Sequence, residues 1–241
     1  SFIFTKIWLH YIKKFDAVVV ISDQLKKIYK CKLKSISRVY NGIDITYRPD
    51  KNDPSIIAQI NKFRDLNYKI IGSYAYLTRI KGLEQLIKVL EKRKDLAVVI
   101  IGEGEAKNEL IELSRTLNVI DRTLFLDYLP TPYNYLSLFD VYAMCSRSEG
   151  FGLAAVEATL MQTPVVCSNI SIFKEIFDDT KVSFFELDNI SSLLESINIA
   201  ISTIGKLKAK VALNYSLNNF SGYKMASNYL DIYSNLLNGK I

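Results

Sequence analysis

The sequence has 241 residues, 49% of them apolar, and a formal net charge of +6. That length and apolar content allow one substantial α/β domain with extra pieces, or two small domains, and exclude a disordered chain. The lysines are scattered rather than massed into a stripe with stacking aromatics, so nucleic-acid binding is not expected. A solvated basic surface, an anionic small ligand or an anionic membrane surface each fits the modest excess.

Three cysteines, Cys31, Cys145 and Cys167, show no CxxC or Cys/His spacing, and the chain has one histidine. A metal site is therefore not expected, and a reduced, cytoplasmic setting is. No apolar run reaches the roughly 18 residues that a membrane span needs. Lys6, His10, Lys13, Lys14 and Asp16 interrupt the N-terminus, unlike a signal peptide. A first residue Ser1 in place of Met suggests a fragment or a processed chain.

In chain order, residues 2–15 place Phe4, Ile7, Trp8, Tyr11, Ile12 and Phe15 on one helical face. His10 lies on this helix without a catalytic partner in view and reads as structural. A basic amphipathic helix here could also touch the inner face of a membrane. Residues 17–22, AVVVIS, read as a buried strand, and a short helix through Tyr29 follows. Residues 38–44, RVYNGID, read as a strand ending in an Asn-Gly turn. Residues 47–55, YRPDKNDPS, form the best linker.

Beyond the linker the pattern becomes regular. Strands are predicted at 68–73, 96–101, 123–126, 141–145, 165–167 and 182–187. Helices are predicted at 83–93, 106–117, 133–138, 153–161, 171–177 and 191–201, and a last one within 219–237. Alternation of this kind predicts an α/β fold, a doubly wound parallel sheet covered on both faces. Ligands of such sheets bind beyond the carboxyl ends of the strands. The loops 76–82, 102–105 and 146–152 are the candidates.

The most informative segment is SEGFGLAAVEATLMQTPVV, residues 148–166. Gly150 and Gly152 bracket Phe151 and permit a turn and close approach. The amides of residues 151–154 are then free at a helix start, where a diphosphate is stabilised by about 1–2 kcal/mol. Glu149 stands before that helix and Glu157 inside it, some ~7–8 Å further along. One carboxylate can face a sugar while the other accepts ribose hydroxyls. The plain alternative is an acid complementing the helix dipole and a solvated helix acid.

Other motifs carry less by themselves. Lys81, before the helix at 83–93, can neutralise phosphate oxygens, and Arg79 could assist. Taken by itself, Lys81 reads more readily as an ordinary surface lysine before a helix. In IGEGEAK, residues 101–107, a Gly102-x-Gly104 turn follows a strand, but Lys107 stands where the third glycine of a dinucleotide fingerprint belongs. A tight turn bringing the cleft wall close to a ligand is the better reading. Two prolines in FLDYLPTPYNYL, residues 125–136, fix a loop that could border a nucleobase.

VYNGID, KG, IGEGE, SRSEGFGLAAVEA, PVV and FKEIF occur in one order with sensible intervals. Together they resemble the C-terminal, donor-binding half of a family 4 retaining glycosyltransferase of the GT-B fold, over most of the chain. The resemblance implies transfer of a sugar from a nucleotide-diphosphate sugar to a glycan or lipid-linked acceptor, with retained configuration and without a metal or other cofactor. It implies catalytic roles for Lys81, on the diphosphate, and Glu149, near the reacting carbon of the donor sugar. It implies substrate binding by Glu157 on the ribose, by Gly150, Phe151, Gly152 and Leu153 on sugar and phosphate, and by Leu129 on the base, with Gly102 at the cleft wall and Arg79 as the substitute for a phosphate-binding arginine that Tyr76 replaces.

The same resemblance divides the chain into a remnant of the N-terminal acceptor domain (1–46), the linker (47–55), a Rossmann-like donor domain (56–215) and a closing helix (216–241). It departs from the pattern in four places. Ala75-Tyr76 replaces a Gly-Arg pair, Asp127 and Gln162 replace glycines, and most of an acceptor domain is missing. Alternatives are a non-catalytic nucleotide-sugar-binding subunit completing a separate N-terminal-domain polypeptide, or a related epimerase or phosphorylase.

Overall fold

A computed structural model describes residues 2–33, 35–44 and 52–239, with the backbone alone for residues 2–6. The chain forms two compact units, one of residues 1–44 and 217–241 and one of residues 45–216. Residues 45–51, which hold most of the predicted linker, lie outside the described residues.

The first unit holds α1 (Phe2–Ile12), β1 (Val18–Val20), α2 (Asp23–Tyr29) and β2 (Ile36–Arg38), and later the last helix. Ser22 caps α2, its hydroxyl accepting from Leu25 N. The two short strands pair in parallel, Val18 opposite Ile36. The predicted strand at 38–44 is therefore displaced: β2 lies earlier, and residues 39–44 continue beyond it. The reason is a change of partner. Val39 N still bonds Val20 O, but Ile43 N bonds Phe220 O. Gly42 allows that crossing, since a Cβ there would meet Ser221 O at 2.4 Å.

The second unit begins with α3 (Pro54–Asp65), β3 (Lys69–Tyr74), α4 (Glu84–Lys92), β4 (Leu96–Ile101), α5 (Lys107–Thr116) and β5 (Thr123–Leu126). It continues with β6 (Val141–Met144), α6 (Leu153–Leu160), β7 (Val165–Ser168), α7 (Ser171–Ile176), β8 (Ser183–Phe185), α8 (Ile190–Ile201) and α9 (Thr203–Asn219), whose last turn belongs to the first unit with α10 (Gly222–Leu237). The six strands β3–β8 form one parallel sheet in the order β5-β4-β3-β6-β7-β8. This is the predicted doubly wound arrangement. β4 is buried at all six positions, and every residue of β6 and β7 is buried, as a sheet covered on both faces requires.

Two helices were not predicted. α3 follows directly on the linker composition: Asp53 caps it, its carboxylate accepting from Ser55 N at 2.8 Å, and Pro54 takes the first turn, where its missing N–H costs nothing. Ile56, Ile60 and Phe63 then face the core. α9 hides its signal differently. Its buried residues are the small Gly205, Ala209, Ala212 and Ser216, while the larger Ile204, Leu207 and Val211 are exposed. Close packing explains the choice of residues: a Cβ on Gly205 would lie 1.9 Å from Ala200 O, and Ser216 Oγ is 2.7 Å from Thr159 Oγ1 of α6.

Candidate functional site

The sheet order fixes where a ligand can sit. β3 lies between β4 and β6, so the chain leaves it toward one edge and later returns on its other side. The loops following β3 and β6 therefore diverge and leave a crevice beyond their carboxyl ends. Residues 75–83 and 145–152 are those two loops.

The crevice brings Lys81 and Glu149 together. Lys81 ends a short 3₁₀ turn, Arg79–Lys81, closed by Gly82 at φ 62°. A Cβ on Gly82 would be 2.2 Å from Cys145 O, so glycine lets this turn lie directly on the end of β6. Lys81 Nζ donates to Glu149 Oε1 at 2.6 Å, and the buried Ser146 Oγ donates to the same oxygen at 2.7 Å. The pair is neither open to solvent nor sealed: the Lys81 side chain is 23% exposed and that of Glu149 11%. A charged group pair at this depth is only partly screened by water.

Behind Glu149 the chain turns into α6. Gly152 caps the helix at φ 92°, ψ 45° and offers no side-chain acceptor. A Cβ there would meet the Phe173 ring at 2.5 Å. The first turn N–H to bond back to Gly152 O is that of Ala155, so the Leu153 and Ala154 amides point out of the helix start. Gly150 is exposed, Phe151 is buried as the anchor of the turn, and Leu153 is 41% exposed. No acidic residue occupies the first turn of α6. Its partial positive charge is left for an incoming anion.

Glu157, one turn further on, has a different partner. The Tyr74 hydroxyl donates to Glu157 Oε2 at 2.5 Å. Burial raises the Glu157 carboxyl above the usual carboxylate range, and the Tyr74 hydrogen bond pulls it partly back. Burial pushes the Tyr74 hydroxyl well up, so it stays a donor. The Tyr142 ring packs at a tilt of 49° against the Tyr74 ring, 4.9 Å between centroids, and its hydroxyl donates to Tyr74 O.

Tyr74 also lines a cavity of about 460 Å³ with Gly102, Leu129 and Pro130. Gly102, at φ 140°, is required there: a Cβ would meet Ala75 O at 2.0 Å. Tyr76 and Tyr128, both 67% exposed, complete the wall. Tyr74 thus links Glu157 to this cavity. Arg79 is placed apart from this group. Its guanidinium bonds Glu109 of α5 at 3.0 Å, on an exposed surface.

Sequence reasoning missed Tyr74 and Ser146. Tyr74 ends a strand of otherwise buried residues and looks like core. Its contact with Glu157 spans 83 residues, which no local pattern reports. Ser146 does carry a local signal, since it stands three residues before Glu149 at a strand end. Among the described residues no group of three or more His, Cys, Asp or Glu could hold a metal ion, and no described helix is long and apolar enough to cross a membrane.

The family profile for glycosyl transferases, group 1, matches residues 56–212, more than half of the chain. This chain belongs to that family. Two Escherichia coli proteins named O-antigen biosynthesis glycosyltransferase WclY are similar to it. One is 33% identical over 98% of this chain and 66% of its own length, the other 34% identical over 95% and 63%. The chain therefore spans just under two thirds of these group 1 relatives. The solved structure of Anabaena HepE in complex with UDP and glucose superposes with a TM-score of 0.83 at 20% identity, over 95% of this chain and 66% of that one. At that identity the likeness establishes the fold, which is that of GT-B glycosyltransferases.

Proposed function

We propose that the chain is the donor-binding part of a retaining, metal-independent glycosyltransferase that moves a sugar from a nucleoside-diphosphate sugar to a glycan or lipid-linked acceptor. One observation carries the reading: the Lys81–Glu149 pair stands beside an acid-free helix N-terminus at the switch point of the sheet. In this reading the diphosphate lies on the amides of Leu153 and Ala154 and takes Lys81 as its cation. Glu149, released from Lys81, faces the donor sugar near its anomeric carbon. Glu157 accepts the ribose hydroxyls, and the base enters the cavity at Gly102 and Leu129.

Transfer breaks the bond from the anomeric carbon to the diphosphate oxygen and forms one to the acceptor hydroxyl oxygen, whose proton passes to the leaving diphosphate. Negative charge develops on the leaving diphosphate. Preorganised amides and a lysine in a partly desolvated crevice stabilise that charge without reorganising, which is the larger part of the barrier they lower. The O-antigen relatives and the UDP held by Anabaena HepE support uridine donors and a cell-surface glycan acceptor. Activity at the inner face of the membrane belongs to the same proposal.

Titration of the chain with UDP-, GDP- and dTDP-sugars tests it. One class is expected to bind saturably, and Glu157→Ala is expected to weaken it about tenfold, the loss of charge-assisted hydrogen bonds. No affinity for any of the three would reject the reading.

A further inference from the structure

Arg147 makes four bonds, three from its side chain and one from its backbone, and two of them reach the loop that carries Lys81. Its Nη1 donates to Arg79 O at 2.8 Å, and its backbone N donates to Ile80 O at 2.8 Å. Its Nη2 donates to Glu84 Oε1 at 2.6 Å and also bonds Asp188 Oδ1. Arg79 and Ile80 are the two residues just before Lys81, and Arg147 itself lies two residues before Glu149. One guanidinium therefore ties the backbone that presents the cation to the backbone that presents the carboxylate.

A second clamp supports the other side of the same turn. The buried Gln85 amide nitrogen donates to Gly82 O at 3.1 Å and to Cys145 O at 3.2 Å. Its oxygen accepts from Asp188 N at 2.8 Å. Asp188 has a φ of 60°, a strained conformation for a non-glycine residue, and both clamps use it. Lys81 is thus held by its neighbours on either side, and its long flexible stem starts from a fixed point. A planar guanidinium suits this task, because its donors leave in fixed directions and reach several acceptors at once.

We infer that Arg147 is a positioning residue, which locks the Lys81 turn to the Glu149 loop so that the two charges meet the donor diphosphate and sugar in fixed register. The diphosphate half of this inference rests on the donor site proposed above; the locking of Lys81 does not. The Arg147 guanidinium is engaged by Arg79 O, Glu84 and Asp188. It acts by removing freedom from Lys81 and Glu149, and a misplacement of about 1 Å in such groups is enough to lose much of their effect.

The test uses the chain itself with UDP and uridine as probes. Arg147→Gln is expected to bind UDP about tenfold more weakly and uridine unchanged, because uridine carries no phosphate for Lys81. In a Lys81→Met background the same change is expected to cost less than about twofold, since the two act on one interaction. Arg147→Lys should recover little, because an ammonium cannot span the acceptors. Equal losses for UDP and uridine, or equal losses in both backgrounds, would overturn the inference.

A ligand-free measurement separates the two proposals. Trace acetylation of Lys81, read by mass spectrometry against the exposed Lys88, is expected to be slow in the parent chain and several-fold faster in Arg147→Gln. Should Arg147→Gln not fold, Arg147→Lys gives the same reading. An unchanged ratio would overturn the positioning role whether or not any nucleotide binds. Accelerated labelling in a chain that binds no nucleotide would uphold the lock and reject the donor site.

Discussion

At the residue scale the consequential group is Glu157. Burial raises its carboxyl in the folded chain, while the unfolded chain titrates near 4.5. Between that value and the raised one, the folded state binds more protons than the unfolded state. Stability due to this group is thus present below about pH 4.5 and lost as pH rises through the folded value. Glu157→Gln removes that loss. It is expected to raise the melting temperature at neutral pH, with the gain shrinking toward about pH 4, as differential scanning calorimetry would read. The same variant should bind UDP more weakly at neutral pH, because an ionised carboxylate is the stronger acceptor for ribose hydroxyls.

Gln162 makes a second argument at this scale. It occupies the position just after the α6 cap, at φ 56°. Asn67 and Asn118 occupy the equivalent positions after α3 and α5 at φ 62° and 53°. Asparagine adopts that conformation at lower cost than glutamine. Relief of about 1–2 kcal/mol, less about 0.4–1 kcal/mol for added freedom of the unfolded chain, predicts that Gln162→Gly stabilises by roughly 0.5–1 kcal/mol in denaturant melts.

At the scale of elements, large apolar residues at regular spacing were legible and small ones were not. β4 and α6 fall where Val/Ile runs and the glycine turn place them. α9 escaped because its contact face is Gly205, Ala209, Ala212 and Ser216, residues with little hydrophobic contrast. That face should be intolerant of size. Ala212→Leu is expected to cost about 1–3 kcal/mol by overpacking, whereas the same enlargement of an exposed position on α9 should be neutral. α3 escaped for another reason. Asp53-Pro54 reads equally as the end of a linker or as a helix cap, and only the Ser55 N–H bonded to Asp53 decides between them.

The candidate site divides along the same line. Lys81, Glu149, Gly152 and Glu157 were legible because turns and helix starts leave local marks. That Lys81 and Glu149 bond each other, that Tyr74 meets Glu157, and that Arg79 turns to Glu109 are contacts across 68, 83 and 30 residues. They follow from the order in which strands join the sheet, which composition does not encode.

At the scale of the whole molecule, the net charge of +6 acts on approach rather than on fold. The donor proposed here is a dianion or close to it. Its association rate is expected to fall several-fold as salt rises from about 0.01 M to about 0.15 M, where the screening length drops from about 30 Å to about 8 Å. Stopped-flow fluorescence would show this. A salt-independent rate would mean that the scattered lysines do not steer the ligand.

The central claim is the position of the donor in the crevice between β3 and β6. A crystal structure of the chain with UDP tests it most directly. The account predicts the diphosphate on Lys81 and the Leu153 and Ala154 amides, the ribose hydroxyls on Glu157, and the base in the cavity of Gly102 and Leu129. UDP bound elsewhere, with the Lys81–Glu149 pair intact and the start of α6 unengaged, would contradict it.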